Sequence, residues 1–156
     1  MIKINIPGKN EFEIKFLILD YNGTLALDGL PLPGVKEKLV ELTGILEIHI
    51  LTSDTHGSAA QEMKDLPVII CILESEDHSR EKRAYVEKTG ARNVIAIGNG
   101  SNDRYMLEAA AIGMAVMQGE GASLKTIKNA DLVFNNILDA LDCLSHPKRL
   151  VASLRE

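Results

Sequence analysis

Aromatic residues are scarce in this sequence of 156 residues, which contains three Tyr, three Phe and no Trp. Proteins that bind single-stranded nucleic acid stack bases on aromatic side chains, and proteins that bind the phosphate backbone carry a basic surface. The formal net charge of this chain is -5. The composition therefore argues against a nucleic-acid partner.

Cysteine and long apolar runs are also sparse. Cys71 and Cys143 are the only cysteines, and they lie in apolar surroundings without C-x-x-C spacing, which favours buried thiols over a disulfide or a metal site. No apolar run approaches 18 residues, and the first residues lack the pattern of a secretory leader. We therefore expect a cytoplasmic protein without a membrane partner.

The length and composition fit a single globular domain over residues 1–156, because 46% of the residues are hydrophobic and 25% are charged. Residues 2–6 and 12–15 alternate apolar with polar side chains, and a turn-like Pro7-Gly8-Lys9-Asn10 separates them. This pattern predicts an antiparallel β-hairpin at an edge of the fold.

The rest of the chain alternates two kinds of pattern. Nearly continuous apolar runs, typical of parallel strands covered on both faces, occur at residues 16–19, 45–51, 68–73, 94–98 and 113–116. Helical spacing occurs at residues 35–42, 57–65, 78–89, 103–111 and 135–154, where Pro147 is expected to kink or restart the helix. The alternation predicts an α/β fold, a sheet of mainly parallel strands with helices on both faces.

Three of the predicted strands end in polar, glycine-containing turns. They read DYNGT from Asp20, TSDTHG from Thr52 and GNGSND from Gly98. Asx and glycine are common in any single turn. Because the carboxyl ends of parallel strands share one edge of the sheet, where ligands bind, three such turns together favour a functional site.

In chain order the three turns resemble the motifs of haloacid dehalogenase-like phosphohydrolases and of the phosphorylation domain of P-type ATPases. Residues 20–25 (DYNGTL) are similar to D-x-D/T-G-T-hydrophobic, residues 52–59 to T-G-D-N-x-x-T-A, and residues 98–103 to G-D-G-x-N-D. The resemblance runs from residue 16 to about residue 135 and is strongest to soluble P-type ATPase-like proteins. It implies a three-layer Rossmann-like fold, Mg²⁺ as cofactor and phosphoryl transfer through an aspartate.

In this interpretation Asp20 is the catalytic nucleophile, because a carboxylate at a strand end can form an aspartyl-phosphate. The Thr52 hydroxyl is expected to donate a hydrogen bond to the phosphoryl group, with Ser53 beside it in the phosphate site. The backbone N–H groups of Gly23 and Thr24 are expected to approach the phosphate as an anion nest.

A positively charged clamp on the phosphoryl oxygens completes the predicted site. The resemblance places this lysine on the helix before the fourth strand, where Lys82 fits. Arg80, Arg83 and Lys88 lie on the same predicted helix and are alternatives to Lys82. Any one of these charged residues is more often solvated than catalytic.

Two positions depart from the family pattern. Asn22 stands where the family has Asp or Thr, and an amide cannot transfer a proton, so general acid–base catalysis worth about 10²–10⁴-fold is lost. We therefore expect attenuated activity that favours good leaving groups, such as acyl and aryl phosphates. Asn99 replaces a metal-binding Asp, so the predicted Mg²⁺ ligands are Asp20, the Asn22 backbone carbonyl, Asn99 and Asp103, with reduced affinity.

Other polar residues keep two interpretations. Asp54 either orients Lys82 or caps the following helix, and Glu120 either belongs to the start of a helix or contacts substrate. The histidines lack metal-ligand spacing and are expected to be ordinary residues, with His56 beside Asp54 as the exception to watch. They are His49, His56, His78 and His146.

The intervals between the motifs leave no room for a cap or a nucleotide-binding domain. An open site does not shield a small substrate from water. We therefore expect either a homo-oligomer whose neighbouring subunit covers the site or a large substrate, so the partner is a phosphorylated small molecule or a phosphoprotein. The second hypothesis is a catalytically silent phosphate- or phosphoprotein-binding regulatory module that keeps the fold.

Overall fold

The computed structural model describes residues 1–8, 11–54 and 57–155. Its strands are β1 (Ile2–Asn5), β2 (Glu11–Ile14), β3 (Phe16–Asp20), β4 (Ala26–Leu27), β5 (Leu30–Pro31), β6 (Glu47–Thr52), β7 (Ile69–Ile72), β8 (Val94–Gly98), β9 (Ile112–Val116) and β10 (Leu132–Phe134). Its α-helices are α1 (Val35–Thr43), α2 (Ser58–Glu62), α3 (His78–Thr89), α4 (Arg104–Ala109), α5 (Leu124–Lys128), α6 (Ile137–Ser145) and α7 (Pro147–Leu154). Short 3-10 turns occupy Ala91–Asn93 and Ser101–Asp103.

Six parallel strands form the central sheet, in the order β10-β9-β8-β3-β6-β7. The chain moves outward from β3 through β6 to β7, and then crosses to β8 on the other side of β3. The strand order therefore reverses at β3, and ligands bind beyond the carboxyl ends of the strands at such a point.

Helices cover both faces of this sheet, because side chains along each buried strand alternate between the two faces. Leu17 and Leu19 of β3 pack in the larger apolar core, which includes residues of α1, α2, α6 and α7. Ile18 packs in the smaller core, with residues of α3, α4 and α5. The predicted α/β fold with helices on both faces is confirmed.

The N-terminal segment forms the predicted antiparallel hairpin, in which β1 pairs with β2. This hairpin is a two-stranded sheet of its own and does not extend the edge of the central sheet. It is joined to the 3-10 turn before β8, where Lys15 N–H donates to the Asn93 carbonyl at 2.9 Å. The predicted turn at Pro7-Gly8-Lys9-Asn10 lies partly outside the described residues.

Several local details go beyond the sequence patterns. The small hairpin β4–β5, which we call the flap (residues 26–31), follows the first motif, and β10 adds a sixth strand. The last predicted helix is divided at His146, with Pro147 as the first residue of α7, so the proline restarts the helix. Among the described residues, no helix has the length and apolar character needed to cross a bilayer.

The two cysteines differ from their predicted environment. Both thiols are free, as expected, but each is half-buried and not fully enclosed. Cys71 lies on β7, an edge strand of the central sheet, and its Sγ donates to the Tyr85 hydroxyl at 3.0 Å. An edge strand is covered by fewer neighbours, which explains the residual exposure of Cys71, whereas Cys143 lies on α6.

Candidate active site

Asp20, Lys82 and Asp103 form a buried charged triad at the carboxyl end of β3. Lys82 Nζ donates to Asp20 Oδ1 at 2.5 Å and to Asp103 Oδ1 at 2.6 Å. The Lys82 side chain is 1% exposed and that of Asp103 is 0% exposed. Asp20 retains a small exposed surface and lines a cavity. Lys82 therefore binds the predicted nucleophile from inside the protein, while the Asp20 carboxylate faces the cavity.

Local structure brings these three side chains together from distant positions in the sequence. Asp20 is the last residue of β3, and Lys82 is on the sheet-facing side of α3, whose N-terminus is capped by Asp77 accepting from Arg80 N–H at 3.2 Å. Asp103 packs directly on Gly98, where an added Cβ would lie 2.5 Å from Asp103 Cγ. The glycine at the end of β8 is thus required for the close approach of this carboxylate.

The electrostatics of the triad depend on burial and on like charges. Burial and the negative charge of Asp103 raise the pKa of Asp20 to about 6, although the Lys82 ammonium acts in the opposite direction. For Lys82, burial favours the neutral amine, but the charges of Asp20 and Asp103 outweigh it and raise its pKa. The lysine therefore remains a cation at neutral pH.

The other basic residues of α3 do not enter the triad. Arg80 pairs with Asp77 at 3.3 Å on the surface. Arg83 Nε pairs with a carboxylate of the next helical turn at 2.8 Å, and Lys88 is exposed. Among the four candidates for the phosphate clamp, only Lys82 contacts Asp20 in this structure.

The first motif forms a tight loop that is linked to the flap. Asn22 is exposed at the cavity rim, and its Oδ1 accepts from Gly29 N–H at 3.0 Å. Gly23 N–H donates to the Ala26 carbonyl at 2.7 Å, and Thr24 N–H donates to the Tyr21 carbonyl at 3.2 Å. The anion-nest prediction for Gly23 and Thr24 is therefore corrected, because both N–H groups are used inside the loop.

The second motif places Thr52 and Ser53 on the cavity wall. Thr52 Oγ1 accepts from Asp54 N–H at 3.1 Å, so its own hydroxyl proton is available to a ligand. Asp54 Oδ2 accepts from Ser58 Oγ at 2.5 Å and from Ala59 N–H at 2.9 Å, which is the predicted capping arrangement at the start of α2. Thr55 and His56 of this motif lie outside the described residues.

The third motif has different roles for its two predicted metal ligands. Asp103 Oδ1 accepts from Lys82, while Oδ2 accepts from Asn99 N–H at 2.9 Å and Gly100 N–H at 2.8 Å. Asp103 is therefore engaged through both oxygens and is absent from the residues that line the cavity. In this structure it positions Lys82 and the loop, whereas Asn99 lines the cavity.

The motifs enclose a polar cavity of about 200 Å³. It is lined by Asp20, Asn22, Thr52, Ser53, Asn99, Gly100, Asn102 and Glu120. Of the two interpretations of Glu120, the structure favours a place at the site, because Glu120 lines this cavity after β9 and lies before α5, which begins at Leu124. Thr24 has a side-chain role that the sequence did not predict, because its hydroxyl lies 3.3 Å from Asp20 Oδ2 and 3.2 Å from Asn99 Oδ1.

The residues at this cavity fit a hard divalent cation such as Mg²⁺. Among the described residues, no three His, Cys, Asp or Glu side chains are grouped as metal ligands. Mg²⁺ however needs only one or two carboxylates, since water and substrate phosphate complete its oxygen shell. Asp20 supplies a carboxylate, and Asn99 supplies an amide oxygen that the Thr24 hydroxyl links to it. The donor chemistry and the polar cavity are consistent with the predicted cation.

Comparisons with known sequences relate parts of this chain to other proteins. Residues 82–138 match the family model of haloacid dehalogenase-like hydrolases. An uncharacterized protein of Methanocaldococcus jannaschii is 46% identical over 65 residues, which are 42% of this chain and 70% of that protein. The ATP-binding subunit of the potassium-transporting ATPase of Xanthomonas axonopodis pv. citri is 28% identical over 111 residues, which are 70% of this chain but only 16% of the subunit.

Solved structures share the fold. A cobalt-bound deoxy-D-mannose-octulosonate 8-phosphate phosphatase from Haemophilus influenzae superposes with a TM-score of 0.68 at 16% identity, over 86% of this chain and 88% of that chain. The 3-deoxy-D-manno-octulosonate 8-phosphate phosphatase of Moraxella catarrhalis, in complex with a magnesium ion, a phosphate ion and a KDO molecule, gives 0.64 at 16% identity, over 90% and 92%. At these identities the likeness shows the fold alone.

Proposed function

We propose that the chain is a Mg²⁺-dependent phosphohydrolase or phosphotransferase that forms an aspartyl-phosphate on Asp20, because residues 82–138 match the haloacid dehalogenase-like hydrolase family and the three motifs meet at one cavity. The observation that carries this proposal is the Asp20 carboxylate in a polar cavity, held by Lys82 Nζ at 2.5 Å. An ion pair with a structural role alone would not need to face a cavity. Asp20 does face one, and this cavity lies where the strand order reverses, which is where ligands bind in such sheets.

In the first step an Asp20 oxygen attacks phosphorus, and the bond from phosphorus to the leaving oxygen breaks with its electron pair on that oxygen. The Lys82 ammonium, which donates to Asp20 Oδ1, would stabilise the negative charge of the phosphoryl group, and the Thr52 hydroxyl would donate a hydrogen bond to it. A divalent cation held by Asp20, Asn99 and the Asn22 carbonyl would supply further charge neutralisation.

In the second step water attacks the phosphorus of the aspartyl-phosphate. The Asp20 carboxylate is regenerated, and the water proton ends on the released phosphate. An alcohol acceptor in place of water gives phosphotransfer. Asn22 neither protonates the leaving group nor accepts the water proton, so substrates whose leaving oxygen is already a weak base are favoured.

The test is to incubate the protein with Mg²⁺ and acetyl phosphate or p-nitrophenyl phosphate, quench in acid, and locate phosphate by peptide mass spectrometry. We expect one phosphoryl group on Asp20, no adduct in Asp20→Asn, and an unchanged adduct in the control Asp65→Asn, whose side chain is exposed and outside the cavity. No adduct and no phosphate release, with Asp20→Asn indistinguishable from the parent, would overturn the enzymatic proposal.

The neutral amides at positions 22 and 99 favour the second candidate, a catalytically silent phosphate- or phosphoprotein-binding module. Binding of inorganic phosphate measured by calorimetry, together with absence of the adduct, would support that candidate. A cytoplasmic location, a substrate that is a phosphorylated small molecule or a phosphoprotein, and a neighbouring subunit over the open site stay predictions.

A further inference from the structure

The cation site of the proposed function has little negative charge from its predicted ligands. Asn22 and Asn99 are neutral, and both oxygens of Asp103 accept hydrogen bonds within the protein. Asp20 would then be the single carboxylate to face the cation. Mg²⁺ dehydrates reluctantly and is usually held by one or two carboxylates, so a second carboxylate at the cavity would have a large effect on affinity.

Glu120 brings such a carboxylate to the cavity from the loop after β9. A Cβ placed on Gly23 would lie 2.4 Å from Asn99 Nδ2, 2.6 Å from Glu120 Oε2 and 2.7 Å from Asn99 Oδ1. The Glu120 carboxylate and the Asn99 amide group are therefore neighbours beside Gly23, in space that a larger residue at position 23 would fill. Apart from Asp20, Glu120 is the single carboxylate among the described residues that line the cavity.

The loop that carries Glu120 is fixed to the first and third motifs on both sides of this residue. Gln118 Nε2 donates to the Gly23 carbonyl at 3.1 Å and to the Thr24 carbonyl at 2.6 Å. Asn99 Nδ2 donates to the Gly121 carbonyl at 3.1 Å, which turns its Oδ1 toward Thr24. Within the described part of the chain, the Glu120 carboxylate itself has no hydrogen-bond or ion-pair partner and is free for a ligand.

We propose that Glu120 is a ligand of the divalent cation and supplies the negative charge that Asn99 does not. This inference rests on the cation site of the proposed function and extends it, because Glu120 lies outside the three motifs. This role explains how the chain can keep the nucleophile Asp20 although position 99 carries a neutral amide. The negative charge that Asn99 lacks comes from Glu120, which follows the neighbouring strand β9.

The experiment measures Mn²⁺ affinity of the full chain without substrate, by electron paramagnetic resonance of the free ion, since oxygen ligands suit Mn²⁺ as well as Mg²⁺. We expect Glu120→Gln to weaken binding about tenfold or more. Asn99→Asp in the Glu120→Gln background should recover the parent affinity. Glu76→Gln is the matched control, because it removes the same charge from an exposed residue that does not line the cavity.

The outcomes separate this inference from the proposed function. Equal Mn²⁺ affinity of the parent and Glu120→Gln would overturn the role of Glu120, even where phosphate appears on Asp20. Weaker binding in Glu120→Gln with recovery by Asn99→Asp would support it, even where no phosphate appears on Asp20. A parent chain that binds no Mn²⁺ would overturn both the cation site and this role. Unchanged thermal midpoints across the variants would exclude misfolding as the cause.

Discussion

Asn22 occupies the position where a proton donor is expected, and its side chain has a defined partner. Its Oδ1 accepts from Gly29 N–H of the flap at 3.0 Å, so the amide is oriented and not free to rotate. An aspartate could accept the same bond, because carboxylate and amide oxygens are both acceptors. The substitution Asn22→Asp therefore restores a proton-transferring group without removing the link to the flap.

We predict that Asn22→Asp speeds hydrolysis of alkyl phosphates by about 10²–10⁴-fold and that of aryl phosphates much less. The reason is that an alkoxide needs a proton as it leaves, whereas an aryl oxide does not. The measurement is steady-state phosphate release from a matched alkyl and aryl pair. Equal acceleration of both substrates would mean that residue 22 does not reach the leaving oxygen.

The protonation of Asp20 connects the active site to stability. Its pKa in the fold is about 6, above the ordinary 3.8, owing to burial and to Asp103, with Lys82 opposing the shift. The fold therefore favours the protonated acid: the contribution of Asp20 to stability is complete below pH 3.8 and is lost as the pH rises through 6.

Asp20→Asn has no such proton equilibrium, so we predict that its stability relative to the parent increases from pH 4 to pH 8. The gain should approach about 2–3 kcal/mol, because one pKa unit corresponds to roughly 1.4 kcal/mol. Urea unfolding in EDTA checks this without bound metal. Asp65→Asn removes the same charge from an exposed residue outside the cavity and serves as the control. A difference between Asp20→Asn and the parent that does not change with pH would contradict the prediction.

At the scale of elements, two hydrogen bonds from side chains of the first motif hold the turn of the flap, besides backbone bonds at its base. Tyr21 Oη donates to the Gly29 carbonyl at 2.9 Å, and Asn22 Oδ1 accepts from the N–H of the same glycine. Tyr21 is buried and follows Asp20 directly in the chain, so the same residue holds the flap and fixes the backbone next to the nucleophile. The flap should therefore open more easily when this anchor is weakened.

We predict that Tyr21→Phe lowers the free energy of unfolding by about 0.5–1.5 kcal/mol, the net value of one hydrogen bond. It should also accelerate amide exchange in the flap, residues 26–31, more than in β8 and β9. Hydrogen exchange by mass spectrometry measures both effects. In Tyr105→Phe, whose hydroxyl has no hydrogen-bond partner among the described residues, exchange in the flap should equal that of the parent. The same result for Tyr21→Phe would contradict the prediction.

The sequence patterns locate elements well where a segment is covered on both faces. Val94–Gly98 matches its predicted strand in full, because all five residues are buried. The prediction missed β10, since only three residues, Leu132–Phe134, pair and they are partly exposed at the sheet edge. The placement of Lys82 beside Asp20 came from a family resemblance, and the contribution of Glu120 depends on loop contacts that no local pattern encodes.

On the scale of the whole molecule, the strand-order reversal at β3 creates one open cavity. Between β3 and β6 the described residues form only the flap and α1, and between β6 and α3 only α2 and β7. The cavity of about 200 Å³ is lined by polar residues without an aromatic side chain. This volume suits a phosphate group, and nothing in the lining would stack an adenine ring.

We therefore predict that this chain does not distinguish ATP from inorganic tripolyphosphate. In the proposed function both present a terminal phosphate to Asp20, and we expect the binding free energy to come from the interactions of this phosphate with Lys82 and Thr52, so adenine should contribute no affinity. The measurement is competition of each compound against p-nitrophenyl phosphate in the formation of phospho-Asp20, at equal free Mg²⁺. Adenosine, which lacks phosphate, should not compete. Competition by adenosine, or markedly tighter binding of ATP than of tripolyphosphate, would reveal a nucleoside site outside this cavity.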